Sequence, residues 1–199
     1  MKVDLHVHSA EHSNCAISTE REQIEAAIAI GLDGIAFTDH HYQRSAKYLK
    51  ELNEKYKPFK IFTGIEIRTT DTDEDVIILG VPEMELHLKK RWTYENLYKF
   101  ARSFDGAIIL PHPYRFAPEV YSNVETFVPD AIEIMSTNIK PHLYNRITEL
   151  CDNLGTPPIA TSDAHISDHV GKFYVTLSNS VHNDAELVNM IKNFKYEMR

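Results

Sequence analysis

Residues 2–9 read Lys-Val-Asp-Leu-His-Val-His-Ser, so that apolar and ionisable side chains alternate. A period of two predicts a β-strand, in which alternate side chains point to the same face. We therefore expect His6 and His8 to project together, as two imidazoles must to reach one metal ion. A polar strand face bonded only to neighbouring backbone would show the same pattern, so this motif needs support from the rest of the chain.

Five further apolar segments carry imidazoles or carboxylates at or near their C-terminal ends. The carboxyl ends of parallel strands meet at one edge of an α/β sheet, where active sites form. Surface polarity alone does not produce this repetition, so we predict a ligand cluster at that edge. The segments are 34–38, followed by Asp39, His40 and His41; 60–67, with Glu66; 107–110, followed by His112; 131–135, with Glu133; and 158–161, followed by Asp163 and His165.

Helical patterns alternate with the strands. Thr19 and Glu22 form a predicted capping box, and the helix that follows ends at Gly31. Other predicted helices cover 42–56, the residues after Thr93, the stretch from Pro141 to Gly155, and 187–194; further strands are predicted at 76–79 and 172–177. This alternation predicts an α/β fold with a largely parallel sheet.

The length of the chain limits the architecture. A full eight-fold barrel typically needs about 250 residues, and this chain has 199. We therefore expect a reduced or distorted barrel, formed as a single domain over residues 1–199. An open doubly wound sheet is the alternative that the pattern alone allows.

Composition indicates an ordinary globular protein, with 43% hydrophobic and 25% charged residues. The net charge of −8 disfavours extended binding to nucleic acid or to anionic membrane. We expect no transmembrane helix, since no apolar run approaches about 20 residues, and no signal peptide, because the first strand begins at once. Two separated cysteines suggest no disulfide framework, and a cytoplasmic location is expected.

Mixed imidazole and carboxylate ligands suit Zn, Mn or Fe. A carboxylate such as Glu66 can bridge two such ions, which together can activate a shared water and bind a phosphate. The sequence has no Gly-x-Ser-x-Gly elbow and no Walker loop. Cys15 is conceivable as a nucleophile, but nothing marks a dedicated base for it.

Five motifs together resemble those of the PHP (polymerase and histidinol phosphatase) family, in the family's order and across most of the chain. They are Asp4-Leu5-His6-Val7-His8-Ser9, Phe37-Thr38-Asp39-His40, Gly64-Ile65-Glu66, Pro111-His112-Pro113 and Ser162-Asp163-Ala164-His165. The resemblance implies a distorted seven-stranded (β/α) barrel that hydrolyses phosphoesters at a site with two or three divalent metal ions.

The resemblance also implies a set of ligands, with Glu66 and Asp163 central to catalysis. One ion would be held by His6, His8, Glu66 and Asp163; a second by Glu66 and His112; and a third by His40 and His165.

Two ligand positions differ from the family pattern. After the first motif, His12, Asn14 and Cys15 compete for one role, and His12 is preferred because imidazole is a commoner ligand than an amide. For the second ion, Glu133 is the nearest candidate for an additional ligand.

Substrate contacts are expected from Arg115, which follows the His112 motif and could reach a phosphate oxygen, and from His41. Arg44, Arg68 and Lys172 are the next candidates for a phosphate contact. No functional role is predicted for the remaining histidines, which are His87, His142, His169 and His182.

The resulting hypothesis is hydrolysis of a phosphoester by a metal-activated hydroxide, acting on a small phosphorylated molecule or a nucleotide. The alternatives are an exonuclease acting on nucleic-acid ends or short oligonucleotides, and a non-catalytic metal-binding PHP module. Histidinol phosphatases are generally longer, and an amidohydrolase would share the His-x-His strand but not the glutamate strand.

Overall fold

The computed structural model describes residues 1–83 and 91–199. His87, for which no functional role was predicted, lies outside the described residues.

The described residues contain one sheet of nine strands. In chain order these are β1 (Lys2–Val7), β2 (Gly34–Phe37), β3 (Lys60–Arg68), β4 (Asp75–Leu79), β5 (Ala107–Leu110), β6 (Ala131–Met135), β7 (Pro158–Ala160), β8 (Val175–Leu177) and β9 (Tyr196–Met198). Their spatial order is β7-β6-β5-β4-β3-β2-β1-β8-β9. The α/β class is confirmed. The sheet does not confirm the predicted count of seven strands.

The sheet is nearly closed into a barrel. Beyond the end of β7, Ala164 forms a parallel bridge with Val7 in β1. The backbone N–H of His8 donates to the carbonyl of Ala164 at 2.9 Å, and the N–H of Ala164 donates to the carbonyl of His6 at 3.1 Å. This contact between the two flanks argues against the open doubly wound alternative.

The strands are parallel from β1 to β3 and from β5 to β7, but β4 runs antiparallel to both of its neighbours. β8 and β9 are also antiparallel additions, and β8 pairs with β1 at Lys2 and Val3. The sequence did not predict β9. The antiparallel direction of β4 matters for the site, because it brings the first residue of that strand to the edge where parallel strands end.

Within residues 1–83 and 91–199, five α-helices connect or cover the strands, namely α1 (Glu20–Ala29), α2 (Ala46–Lys55), α3 (Tyr94–Ser103), α4 (Tyr144–Leu154) and α5 (Asp184–Lys192), together with short 3₁₀ turns at Pro141–Leu143 and Ser167–His169. The capping box at Thr19 and Glu22 is confirmed, as is the end of α4 at Gly155, whose φ of 63° suits glycine. α2 begins later than predicted because Ser45 caps it by accepting from the N–H of Tyr48.

Buried apolar residues form three clusters, each joining strands to particular helices. α5 contributes Leu187 to the first, α3 and α4 contribute Leu97 and Ile147 to the second, and α1 and α2 contribute Ile24 and Leu52 to the third. This packing fixes the strands and hence the side chains at their ends. Every helix in the described ranges is too short or too polar to cross a lipid bilayer.

Candidate metal centre

The alternation in β1 brings two imidazoles together on one side of the strand. His6 and His8 are both fully buried, and their Nε2 atoms lie 3.0 Å apart. Two carboxylates approach the same nitrogens from other strands. Oδ1 of Asp163 lies 3.3 Å from Nε2 of each histidine, and Oε2 of Glu66 lies 3.3 Å from Nε2 of His8.

Glu66 stands at the centre of the arrangement, in β3. Its Oε1 lies 3.0 Å from Nε2 of His112, and its Oε2 lies 3.1 Å from Nδ1 of His40. Each carboxylate oxygen therefore faces a different imidazole, as a carboxylate bridging two cations would. The ring of His165 completes this side of the cluster, with its centroid 4.4 Å from that of His8.

Among the described residues, four groups of three have potential ligand atoms within 4.8 Å of one another. They are His8, His40 and His165; His6, His8 and Asp163; His6, Glu66 and His112; and His40, Glu66 and Asp75.

The donor set fits divalent metal ions. Oε2 of Glu66 and Oδ1 of Asp163 are buried and have no hydrogen-bond partner. A buried carboxylate oxygen without a donor is costly unless a cation compensates it. Both oxygens face ring nitrogens, and nitrogen–oxygen sites of this kind suit Zn, Mn and Fe.

The charges of the cluster shift the pKa of its members in opposite directions. Burial alone would lower the pKa of His6 and His8, but Asp163 and Glu66 outweigh it, raising the pKa of His8 to about 9 and that of His6 well above its usual value. Burial alone would raise the pKa of Glu66 and Asp163, but the imidazoles hold both below their ordinary values. Without metal, protons on the inner histidines supply the positive charge that the carboxylates require.

The two outer histidines behave differently. Burial and the positive neighbour His8 lower the pKa of His165 to about 4. Burial also lowers the pKa of His40, against the opposing effect of Glu66. Both rings are therefore neutral at physiological pH, the form in which imidazole binds metals.

Backbone strain accompanies this chemistry. His112 and Asp163 have positive φ angles of 29° and 50°. Such conformations cost about 1–3 kcal/mol each outside glycine and gather at functional sites. Asp4 helps to hold the backbone at Asp163. Its carboxylate accepts hydrogen bonds from the backbone N–H of the preceding residue, Ser162, at 3.0 Å and from that of Gly171 at 2.9 Å.

Glu133 was predicted as a ligand of the second ion, but it lies outside all four ligand groups. Its Oε1 lies 3.0 Å from Nδ1 of His6 and accepts from Oγ1 of Thr161, and its Oε2 accepts from the backbone N–H of His112 at 2.9 Å. Both oxygens are thus engaged away from the cluster's centre. A carboxylate that orients a histidine from behind fixes its tautomer and its direction.

His12, the preferred ligand after the first motif, also lies outside the four groups. Its ring stacks on that of Tyr42 with the centroids 3.6 Å apart. The competitors Asn14 and Cys15 are exposed. Partial desolvation of the Cys15 thiol and the nearby carboxylates raise its pKa, which disfavours the thiolate that a nucleophile needs.

Arg115 reaches the cluster from its rim. Its Nη1 donates to Oδ2 of Asp163 at 3.2 Å, and its side chain is 31% exposed. Among the next candidates, Arg44 is 1% exposed and paired with Asp39 and Glu20, so it cannot meet a substrate, and Lys172 is exposed. His41 is also exposed. It follows His40 of the cluster directly in sequence, and its backbone N–H donates to the carbonyl of Glu66.

Two residues at the site were missed from the sequence. Nδ2 of Asn138 donates to Oδ2 of Asp163 at 2.6 Å, and Asp75 forms a ligand group with His40 and Glu66. The polar run after β6 could have suggested Asn138. Asp75 stands at the start of an apolar strand, whereas the sequence pattern places ligands at the C-terminal ends of strands. His142, His169 and His182 lie outside the four groups.

One comparison with known proteins identifies a family, and the similar solved structures share the fold. The model of the PHP domain matches residues 4–193. A two-domain protein from Bacteroides vulgatus containing a predicted PHP-like metal-dependent phosphoesterase has a TM-score of 0.75 at 13% identity, covering 100% of this chain. This chain spans 64% of the length of that protein.

Two other solved structures share the fold at similarly low identity. A protein from Bifidobacterium adolescentis assigned as a metal-dependent phosphoesterase has a TM-score of 0.70 at 12% identity, with 95% of both chains covered. The lesion-specific endonuclease PfuEndoQ from Pyrococcus furiosus has a TM-score of 0.68 at 17% identity, covering 99% of this chain and 57% of that one. No curated protein matches this chain.

Proposed function

This chain belongs to the PHP family, and from that premise we propose that it is a metal-dependent hydrolase of phosphoesters. The observation that carries the proposal is the pair of buried, unpartnered carboxylate oxygens of Glu66 and Asp163 among imidazole nitrogens. Such a pair is costly in a purely structural polar network and useful in a metal centre.

We assign the ligands as the motifs imply. His6, His8, Glu66 and Asp163 would hold one ion, and Glu66 with His112 a second; His40 and His165 are the candidates for a third. Zn, Mn and Fe all suit this donor set. When bound, the ions would activate a water as the nucleophile and neutralise charge on the phosphate.

The protein's own residues would position the substrate. Arg115 uses Nη1 to contact Asp163, which leaves its other N–H groups free to donate to phosphate oxygens at the rim. Asn138 and Arg115 both donate to Oδ2 of Asp163, so that Oδ1 is kept for an ion. His41, exposed beside the cluster, is the further candidate for a substrate contact.

A small phosphorylated molecule or a nucleotide is the substrate that the charge of the chain favours. A net charge of −8 opposes a long nucleic-acid track. An oligonucleotide end could still enter, and the likeness to an endonuclease makes it worth testing.

We also propose that residues 1–199 form a single domain whose barrel consists of the seven strands β1 to β7. The bridge between Val7 and Ala164 supports this count, because it joins β1 to the segment after β7 and leaves β8 and β9 outside the ring.

The test is metal content together with a substrate panel. Elemental analysis of metal-loaded protein should find at least two ions per chain, and chelation should abolish hydrolysis until Mn or Zn is restored. The panel comprises p-nitrophenyl phosphate, nucleotides, oligonucleotides and amides. No more than one ion at saturation would contradict the multi-metal centre. Metal binding without hydrolysis of any phosphoester would favour a non-catalytic module.

A further inference from the structure

Asp75 occupies an unusual place in the sheet. It is the first residue of β4, and the antiparallel pairing with β3 sets it opposite Arg68, two residues beyond Glu66. The strand direction thus delivers a carboxylate from a strand's beginning to the edge where the parallel strands end. Asp75 is 3% exposed, and its Oδ2 lies 3.9 Å from Nε2 of His112.

The carboxylate of Asp75 also faces Glu66. Potential ligand atoms of His40, Glu66 and Asp75 all lie within 4.8 Å of one another. Two buried carboxylates this close repel each other unless positive charge lies between them. Oε2 of Glu66 is buried without a hydrogen-bond partner, and Nδ1 of His40 lies 3.1 Å from it. The three side chains therefore surround a position that favours a cation.

An ion pair with Arg68 is the ordinary structural reason for a buried carboxylate at Asp75. Its Nε donates to Oδ1 at 2.9 Å and its Nη2 to Oδ2 at 2.7 Å, which makes a two-pronged ion pair. A carboxylate offers about four lone-pair sites, and Arg68 occupies two of them. The pair thus leaves Asp75 free to bind an ion, and it holds the carboxylate in a fixed direction. An ion pair alone does not account for the unpartnered oxygen of Glu66.

We propose that Asp75 is a metal ligand of this centre, sharing one ion with Glu66 and His40, and that Arg68 is the residue that positions it. The proposal rests on the metal-dependent function proposed above. It supplies a carboxylate ligand of the kind expected from Glu133, which instead lies behind His6. It also places His40 on the ion that Asp75 and Glu66 share, rather than on a third ion with His165.

The first experiment uses the unaltered protein. Crystals soaked in Zn²⁺ should show an Asp75 oxygen at about 2.0–2.2 Å from an ion, the usual zinc–carboxylate distance. Ions bound at His6, His8 and Asp163 while Asp75 contacts only Arg68 would overturn this inference and leave the proposed function standing. Crystals that bind no ion at all would overturn both.

The second experiment compares two variants that break the same ion pair. Asp75→Asn removes the pair and the charged ligand, whereas Arg68→Ala removes the pair alone. After dialysis against saturating metal, Asp75→Asn should retain about one ion fewer per chain than the unaltered protein. Arg68→Ala keeps the ligand but no longer fixes its direction, so it should still fill every site and bind the ion less tightly. Equal metal content in both variants would show that Asp75 serves only the ion pair. Circular dichroism tests whether each variant is folded. If Asp75→Asn does not fold, the soaked crystals of the unaltered protein decide whether Asp75 binds an ion.

Discussion

Nδ1 of His6 lies 3.0 Å from Oε1 of Glu133, while Nε2 of the same ring faces Glu66 and Asp163. Because a carboxylate only accepts hydrogen bonds, Nδ1 carries the proton in this contact and Nε2 is the nitrogen presented to a metal ion.

Glu133→Gln should therefore weaken metal binding by about 10–100-fold, since a neutral amide is a weaker acceptor for the Nδ1 proton of His6 and can also present its NH₂ group to the ring. Competition with a chromophoric chelator measures the affinity. Glu119→Gln, which alters an exposed ion pair with Arg146, is the matched control and should bind metal normally. Normal affinity in folded Glu133→Gln would mean that the carboxylate serves only the backbone of His112.

Glu66→Gln should remove most bound metal and most turnover while the fold survives. Glutamine keeps the volume of the side chain but removes the charge that lies between His40 and His112. Elemental analysis and the initial rate of phosphoester hydrolysis are the two readouts. A variant that keeps its ions and its rate would exclude a bridging role for Glu66.

Metal binding should release protons at neutral pH. The pKa of His8 is raised to about 9, so the metal-free chain holds a proton there that a ligand must lose. Affinity should consequently increase as pH rises toward that value and fall as pH is lowered, because protons then compete for the ring. Calorimetric titrations in buffers with different ionisation enthalpies count the protons, and a buffer-independent heat would contradict the prediction.

Arg115→Ala should lower kcat/KM without changing metal stoichiometry. Losing a charge-assisted hydrogen bond costs about 1.5–3 kcal/mol, which corresponds to roughly 10–100-fold in rate. Lysine lacks the planar fork, so Arg115→Lys should restore only part of the loss. Arg146→Ala removes another arginine, paired with Glu119, and serves as control. If inorganic phosphate inhibits Arg115→Ala as strongly as the unaltered enzyme, the arginine does not contact phosphate.

Asp39→Asn should destabilise the fold because it breaks a buried ion pair with Arg44. The loss should be smaller than the about 3–5 kcal/mol of an isolated buried pair, because Arg44 keeps its pair with Glu20. Burial alone would raise the pKa of Asp39, but Arg44 and the donors from Ser9 and Ser13 lower it below 3.8. Its contribution is therefore present above that pH and is lost as pH falls through the lowered pKa. Melting curves recorded at about pH 7 and at about pH 3 should show that the difference in melting temperature between the variant and the unaltered protein is smaller at the lower pH. If the difference in melting temperature is the same at both pH values, the negative charge of Asp39 is not what stabilises the fold.

The sequence predicted those parts of the site that lie on one strand or directly after one. Alternation placed His6 and His8 on one side of β1, and the apolar runs before His112 and Asp163 located the edge at which they meet. These features are local, since strand geometry determines which way each side chain points.

The remaining features depended on contacts between distant segments. Glu133 and His12 remain predicted ligands, but Glu133 contacts Nδ1 of His6 and the ring of His12 stacks on Tyr42, and neither contact was predicted. Asp75 was not predicted as a ligand because the direction of β4 depends on its antiparallel pairing with β3 and β5. No local sequence pattern encodes that direction.

The closing contact between β1 and the segment after β7 has a consequence for the order of folding. The hydrogen bond from the N–H of Ser162 to Asp4 joins residues 158 positions apart, and Asp163 meets His6 at the same junction. Contacts so distant in sequence form late and slow the search for the native state. During synthesis at the ribosome, the motif with His6 and His8 emerges well before Asp163, one of the two carboxylates that face both rings. The nascent chain should therefore bind metal with full affinity only after the segment that carries Asp163 has emerged.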